Sequence, residues 1–552
     1  MKIYKKKQLD LHLRFWDGDK VLTRYIHSEF LGKAQSVDIL ECFETLDQMQ
    51  SLKHMVQVSM DGPKVNLKFQ KQLEKRSRDM YEHGLLNLGS CGIHQLHNAL
   101  KAAMEAMNIG EFLKCLFKLF HDAPARRQEY TTLTNCKVFP QSFAVHRWAD
   151  NQKAAARALE IISPVEEFCK AVDTKDKRVT KIDTYSYRVV RDFVVDQFAD
   201  VKLLFFIDMC DLIEEFLVKF QADKPMAPFL VNEIYNILRD IMQRFLVSTY
   251  CDKHDSDPML ARIRTAKFYV DSKKIDLGWR ANAIRDSHLQ AGRTGVLTVS
   301  EQCREAMIIF FEKIKTTSPA NHPLAKNMDC LDPALIAGDI RVAKQQFQNI
   351  TICLKEANLS SDGELDLAYK QFKKFVKEHK DKDEFKNFVF DKKEHRVDTL
   401  FYNALCSKNE YMDLWKVVRI LLVVSHGQAS VERGFSINKY ASTANQSEES
   451  LVARRVVRDH IKYIGEFSDF SVTNELIADM RAASKKYKAH LEDKRKEDRQ
   501  KKQTQKDKLQ KEIDAKKQSI KSTESLIADY NTKLHSQHML TKMAGAAKID
   551  YE

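Results

Sequence analysis

Two acidic residues, far apart in the sequence, have the type and the setting of a metal-dependent phosphoryl-transfer site. Asp61 follows the apolar run His54–Met60 and precedes a Gly-Pro pair, so it lies where a strand stops and the chain turns. Glu432 lies in the stretch Ser425–Lys439 (SHGQASVERGFSINK), directly after a long apolar run. Acids at the edges of buried elements are tolerated when they are paired or liganded, and divalent cations prefer carboxylate oxygens. We therefore expect Asp61 and Glu432 to meet in space and to bind a divalent metal ion.

Each acid also has a purely structural explanation. Asp61 before Gly-Pro is a favourable turn residue. Glu432 could pair with the adjacent Arg433 or stabilise the start of a helix through the helix dipole. Position in the sequence therefore does not by itself prove a site.

A third group of residues, CGIHQLH, places Cys91, His94 and His97 at helical spacing. Residues at i, i+3 and i+6 partly share one helix face, which suggests metal binding. Three ligands on a single helix seldom close around one ion. Packing and orientation of a neighbouring site is the alternative that we favour.

The elements that must position these residues can be predicted from periodicity. The first 27 residues indicate a β-hairpin with its turn at Asp17-Gly18. Alternation from Leu9 to Phe15 puts the apolar residues on one side of the first strand and Asp10 on the other. Apolar spacing and turn signals then predict alternating helices and strands. The helices are Ser36–Leu52, Val65–His83 and Ile93–Met107, and the strands are His54–Met60 and Leu85–Leu88.

The rest of the chain reads as helical. Apolar residues recur at three and four between about Phe112 and Phe401, and Gly and Pro number only 16 and 10 in 552 residues. The apolar run Leu414–Val424 reads as buried, and Ser450–Ile464 reads as a helix. Beyond Phe467 a long exposed, charged helix or interrupted coiled coil is expected, although the apolar positions are sparse for heptads.

Charge and cysteine content restrict the class of protein. The net charge is +13, and residues 485–521 alone hold 15 Lys/Arg against 7 Asp/Glu. Such a tail suits nucleic acid, and it equally suits a solvated helix. The 11 cysteines form no CxxC pair, and no apolar leader or membrane-length apolar segment is present. We expect reduced thiols, an intracellular location and no membrane partner.

Four blocks of sequence together resemble the hAT superfamily of transposases, and within it the transposon-derived proteins of animals. The last block is the most specific. The blocks are Ser59–Phe69 (SMDGPKVNLKF), Leu88–Leu100 (LGSCGIHQLHNAL), His146–Asn151 (HRWADN) and Ser425–Lys439.

The resemblance implies an RNase H-like α/β core with a mixed sheet, interrupted by a large all-helical insertion. The implied parts are residues 1–111 and 396–466 for the core with its dimerisation region, 112–395 for the insertion, and 467–552 for a basic helical tail. The dimer would use Leu414–Val424 and Ser450–Ile464.

The resemblance also implies roles for single residues. Asp61 and Glu432 would be the second and third acids of a triad that holds Mg²⁺ or Mn²⁺. Cys91, His94 and Arg433 would support the site. The Arg147-Trp148 pair would contact DNA, through a phosphate and a stacked base, and a buried core Trp148 is the alternative.

The first acid of the family lies on a strand upstream of Met1, so the chain resembles a family member that lacks this strand. Asp10 and Asp17 are poor substitutes, because one faces away from the apolar side and the other lies in a turn. Without the acid that bridges both ions, two-metal chemistry should be severely weakened.

Three functions stay open from the sequence. The first is an inactive, transposase-derived protein that forms dimers, contacts DNA and lies in the nucleus. The second is a fragment of an active transposase whose first acid lies upstream of Met1. The third is a coiled-coil scaffold with incidental basic charge. We expect the first, with no strand cleavage or joining.

Overall fold

The chain divides into two compact units, Met1–Asp459 and His460–Glu552. The computed structural model describes residues 2–3, 6–50, 52–389, 395–443, 446–465, 468 and 470–549. Within these ranges, every helix is too short or too polar to cross a membrane.

The first unit opens with the predicted hairpin. Strands β2 (Lys6–Asp17) and β3 (Lys20–Leu31) are antiparallel and meet at a turn in which Gly18 has a φ of +61°. This left-handed conformation is open to glycine without steric cost. The short strand β1 (Lys2–Ile3) pairs with the start of β2 and completes a three-stranded sheet.

The side of β2 that carries Asp10 is covered by later segments of the chain, those of Asn438 and Arg455. The sequence predicted that Asp10 faces away from the apolar side, but its side chain is fully buried. It accepts hydrogen bonds from Gln8 and Ser28 at 2.7 Å each and from Asn438 at 2.8 Å. The Arg455 guanidinium lies 3.5 Å away. Asp10 therefore anchors two later helices to the hairpin.

Helices make up most of both units. Their bounds are α1 Ser36–Gln50, α2 Lys64–Tyr81, α3 Gly92–Glu105, α4 Ile109–Phe120, α5 Pro124–Thr134, α6 Gln152–Glu160, α7 Ile162–Asp173, α8 Tyr185–Val194, α9 Ala199–Phe220, α10 Leu230–Gln243, α11 Ser248–Lys253, α12 Trp279–Gln290, α13 Val296–Thr317, α14 Pro323–Asn327, α15 Pro333–Gly338, α16 Ile340–Glu356, α17 Asp362–His379, α18 Asp383–Lys386, α19 Val397–Leu405, α20 Met412–Val423, α21 Ala429–Ala441, α22 Glu448–Ile464 and α23 Asn474–Ile549.

The mainly helical character and the hairpin are confirmed, whereas the predicted RNase H-like sheet is not seen. The segments His54–Met60 and Leu85–Leu88 are not strands in the structure. A single backbone hydrogen bond, from Leu86 N–H to the Val56 carbonyl at 2.7 Å, joins them. Within the described residues, the sheet that opens the chain is the only one.

The apolar run Leu414–Val424 forms α20 and is buried in the core of its own unit. Leu414, Val418 and Leu422 are fully enclosed, and the Trp16 indole on β2 donates to the Arg419 carbonyl at 2.9 Å. These apolar side chains are therefore already packed within the unit and are not free to form a dimer core.

The second unit is dominated by α23, a helix of 76 residues. Its side chains are mostly exposed, including scattered apolar ones such as Met480, Leu526 and Met543. This confirms the predicted long, charged C-terminal helix.

Candidate functional site

Direct side-chain hydrogen bonds join the two segments that precede the candidate acids. The Gln57 side chain accepts from the Ser425 N–H at 2.7 Å and donates to the Ser425 carbonyl at 3.2 Å. Nearby, the Gln428 amide donates to the Ser59 hydroxyl at 2.6 Å. A glutamine thus pairs with the polypeptide backbone much as a neighbouring strand would. These bonds bring chain segments about 370 positions apart into one place.

Asp61 and Glu432 converge on the imidazole of His94. The His94 Nδ1 atom lies 3.3 Å from Asp61 Oδ1, and His94 Nε2 lies 3.4 Å from Glu432 Oε1. Asp61 comes just before α2, whereas His94 and Glu432 lie in the first turns of α3 and α21. The two acids therefore meet, as the sequence predicts, with a histidine ring between them.

Arg147 brings a second cation to Glu432. Its guanidinium pairs with Glu432 Oε2, and it also lies 4.0 Å from Asp150. The Glu432 side chain is 18% exposed, whereas that of Arg147 is 51% exposed. Glu432 is thus paired with residues from distant segments.

Arg433 does not pair with Glu432, which was the structural alternative considered from the sequence. Its guanidinium donates to the Gln221 carbonyl and pairs with Asp223. Arg433 therefore attaches α21 to the loop after α9. In this way it supports the position of Glu432 without touching the carboxylate.

The surroundings of His94 favour its protonated form. Interaction with Cys91 is the main cause, burial opposes it, and the carboxylates of Asp61 and Glu432 reinforce it. Together they raise the pKa of His94 to about 9. At neutral pH an imidazolium therefore lies between the two carboxylates.

Cys91 and His97 pack around this cluster. Cys91 is buried at the start of α3, and a Cβ added to Gly427 would lie only 3.1 Å from its sulfur. The His97 Nδ1 atom accepts from the Ala149 N–H at 3.3 Å. Burial, with the positive charges of His94 and Arg147, lowers the pKa of His97 to about 4. His97 is thus a neutral packing residue.

Trp148 is enclosed, which contradicts the expectation that its indole stacks on an unpaired base. The side chain is 2% exposed and lies edge-on to Phe143 and Phe206. A Cβ added to Gly110 on α4 would lie 2.2 Å from the indole. Trp148 is therefore a core residue that holds Arg147 in place.

Neither candidate for the first acid belongs to the cluster. Asp10 is held in its own buried network, as described above. Asp17 lies at the end of β2, opposite Lys20 at the hairpin turn. In the structure that is described, neither contacts Asp61, His94 or Glu432.

The residues present do not fit a divalent metal ion. Asp61 and Glu432 face different nitrogens of one ring, so an ion beside either carboxylate would lack the other. Throughout the described ranges, no group of three His, Cys, Asp or Glu side chains is arranged to hold a metal. Each carboxylate instead has a cation from the protein.

The residues that the sequence did not reveal are those that make the convergence possible. Gln57 and Gln428 carry no local signal, because a glutamine in an extended segment is ordinarily solvated. His94 was identified as a supporting residue, but its position between the two acids depends on folding of distant segments. The Gln57 side chain contacts only the backbone of Ser425, so the residue type at position 425 carries no signal of this contact either.

Comparison with known proteins adds no relative. A scan against protein-family models finds no match, and a search of curated proteins finds no significant match.

Proposed function

We propose that this chain is a transposase-derived protein of the hAT type that lacks strand-transfer activity, contacts DNA and self-associates. The observation that carries the proposal is the meeting of Asp61, His94, Arg147 and Glu432. These residues come from all four blocks of sequence that carry the resemblance. A chance resemblance would give no reason for all four blocks to share one site.

The loss of catalysis follows from how charge is balanced in the cluster. A two-metal mechanism needs carboxylates that are free to bind cations. Here Asp61 faces the His94 imidazolium, and Glu432 faces both His94 and Arg147. A divalent ion would have to displace these residues and would still find no third ligand in the described part of the chain.

The RNase H-like ancestry of the core belongs to this proposal. The segments His54–Met60 and Leu85–Leu88 run beside each other where the resemblance expects paired strands. The side chain of Gln57 contacts the backbone before α21 in place of a regular ladder. The geometry suits a core that has kept its topology and lost most of its sheet hydrogen bonds.

Self-association would use the tail helix, because the apolar side chains of Leu414, Val418 and Leu422 are packed within their own unit. Four residues of α23 are spaced by seven and are 45% to 58% exposed: Ile513, Ile520, Ile527 and Leu534. Such a stripe fits one of the two core positions of a coiled-coil heptad, and β-branched residues at that position favour two parallel strands. Glu512 and Lys517 flank the stripe where opposite charges pair between parallel copies.

Sedimentation equilibrium tests this part of the proposal. The I513N/I520N variant should sediment as a smaller species than the unchanged chain at micromolar concentration. The M480N/M543N variant, changed at exposed apolar positions off the stripe, should keep the original mass. A monomeric unchanged chain would contradict self-association.

The activity is tested by incubating the full chain with supercoiled plasmid and with hairpin and duplex oligonucleotides in Mg²⁺ or Mn²⁺. We expect no nicking and no joining, together with DNA binding that weakens steeply with salt. Nicking that is lost in both D61N and E432Q would show an active enzyme. If the chain shows no salt-dependent binding to DNA, the coiled-coil scaffold is the function that remains.

The fragment of an active transposase is the second candidate. The half-exposed Asp61 carboxylate favours it, because Asp61 Oδ1 makes no hydrogen bond within the described residues. Extension of the chain with its upstream coding sequence would restore activity on that hypothesis. An extended chain that remains inactive in Mn²⁺ would exclude it.

A further inference from the structure

Four lysines form a row along one exposed face of α2. Lys64, Lys68, Lys71 and Lys75 are all exposed, and their spacing of four, three and four residues places them within a narrow arc of the helix. At 1.5 Å per residue the row is about 16 Å long. We call it the lysine row.

The ammonium groups of the lysine row have no ion-pair partner among the described residues. Within the described residues, none of its four ammonium groups forms an ion pair or a hydrogen bond. The other two basic residues of α2 do: Arg76 pairs with Glu44, and Arg78 pairs with Glu74 at 2.9 Å. The two arginines of α2 thus have ion-pair partners, whereas the four lysines of the row have none within the described residues.

This arrangement is unfavourable for the free protein. Lys64 lies in the first turn of α2, where the helix dipole favours an acid, and that turn contains no acid. Like charges three and four residues apart, as in Lys64 with Lys68 and Lys71 with Lys75, also repel along a helix. An anionic partner would remove both costs.

The lysine row is rigid and close to the candidate site. On the opposite face of α2, Phe69, Leu73 and Ser77 are buried and fix the helix to the unit. The Asn66 side chain donates to the Asp61 carbonyl at 3.2 Å, so the first turn is tied to the segment that carries the acid. The row therefore begins within one helical turn of Asp61.

We infer that the lysine row binds the phosphodiester backbone of DNA beside the Asp61–His94–Glu432 cluster. This inference rests on the proposed function and names the surface that Arg147 and the buried Trp148 do not supply. A regular line of cations suits a polymer whose negative charges repeat along its length. Lysine is also a point-charge donor that binds phosphate without demanding one geometry.

Salt titration of DNA binding tests the inference in the full chain. The variant K68Q/K71Q/K75Q removes three of the four charges and keeps residues of high helix propensity. For this variant, the slope of the logarithm of the binding constant against the logarithm of the salt concentration should become shallower by about 2 to 3. Each phosphate contact contributes about 0.9 to that slope. The matched control is K370Q/K373Q/K377Q, which changes three exposed lysines on α17. The control should keep the original slope.

Lysine acetylation with and without a hairpin oligonucleotide gives an independent readout by mass spectrometry. DNA should protect Lys64, Lys68, Lys71 and Lys75 more than Lys370, Lys373 and Lys377. Circular dichroism would verify that the variants keep their helices. Anionic lipid vesicles provide the comparison for a membrane surface.

The outcomes separate failure of this inference from failure of the proposed function. If K68Q/K71Q/K75Q binds DNA with the same steep salt dependence as the unchanged chain, and DNA does not protect the four lysines from acetylation, the contact lies elsewhere. That result would overturn this inference alone. No binding at low salt would overturn the DNA contact of the proposed function as well. Protection by vesicles but not by DNA would replace the inferred partner with a membrane.

Discussion

The candidate site and the lysine row lie next to each other, but the charged groups of the site are paired, whereas those of the row have no partner within the described residues. In the site, Glu432 is paired with His94 and Arg147, and Asp61 faces the same His94 ring. In the row, four cations on one helix face have no partner within the described residues. The site is assembled from four distant segments, whereas the row lies on one helix.

The difference separates charge that holds the fold from charge that is available to a partner. A paired group at the junction of several segments stabilises their meeting, and its removal should affect stability. An unpaired group on a rigid helix contributes little to stability, and its removal should affect binding. The following predictions test that division, from the largest expected effect to the smallest.

The buried pair of Asp10 and Arg455 gives the strongest test of structural charge. The D10A variant leaves the Arg455 guanidinium buried without its carboxylate, which costs about 3 to 5 kcal/mol. Chemical denaturation followed by tryptophan fluorescence would measure this loss. The control is E305A, which breaks the exposed pair with Arg264 and should cost at most about 1 kcal/mol. Equal losses in the two variants would contradict a structural role for the buried pair.

Removal of the Gln57 side chain should open the site without changing its charges. The Q57A variant leaves the N–H and the carbonyl of Ser425 without their partner, at a cost of about 1 to 3 kcal/mol. The pKa of His94, measured by NMR, should fall by the smaller part that Asp61 and Glu432 contribute, while the larger part from Cys91 at the start of the same helix should stay. Q345A, on an exposed face of α16, provides the control. An unchanged His94 pKa in Q57A would show that this contact does not assemble the site.

How far the sequence predicts this structure depends on whether the signal is local. The hairpin and helices α1 to α3 were predicted within a few residues, and α23 was predicted as a long charged helix but not with its end, because periodicity and turn residues act within one element. The strands at His54–Met60 and Leu85–Leu88 were wrong as strands. Local alternation indicates extended backbone, but a sheet also needs a partner segment, and here side chains take that place.

Two single residues show the same limit at the site. Asp10 was predicted to face away from the apolar side, and its local alternation gave no sign that α21 and α22 would cover that side of β2. Trp148 could equally have been exposed or buried, and its burial depends on Gly110, which lies on another helix. In contrast, the meeting of Asp61 with Glu432 was expected from the type and setting of the two acids and from the resemblance, not from local periodicity, which carries no information about distant contacts.

Because of His94, the free energy of unfolding should decrease as the pH rises into the alkaline range. The pKa of His94 is raised to about 9 in the folded protein, against about 6.5 in an unfolded chain. Its contribution is therefore complete below about pH 6.5 and is lost as the pH rises through 9. Cys91, Asp61 and Glu432 are the charged or titratable groups that cause the shift.

Unfolding midpoints at pH 6 and pH 9.5 would measure this effect. The difference in unfolding midpoint between the unchanged chain and H94N should be large at pH 6 and smaller at pH 9.5. The control is H121N, at an exposed histidine beside Asp122, and its gap should not follow this trend. A gap in H94N that is constant with pH would show that His94 is not protonated between the acids.

The smallest effect on stability, and the sharpest contrast between the two regions, should come from K64E. A glutamate in the first turn of α2 would interact favourably with the helix dipole and with Lys68, so the free protein should gain about 0.3 to 1 kcal/mol. DNA binding should weaken in the same variant, because a phosphate contact is replaced by repulsion. K370E on α17 should leave binding unchanged. If K64E gains stability and binds DNA as well as the unchanged chain, the unpaired charge of the lysine row has no role in binding. If it loses stability, Lys64 has a structural partner, and the division between the site and the row does not hold at that position.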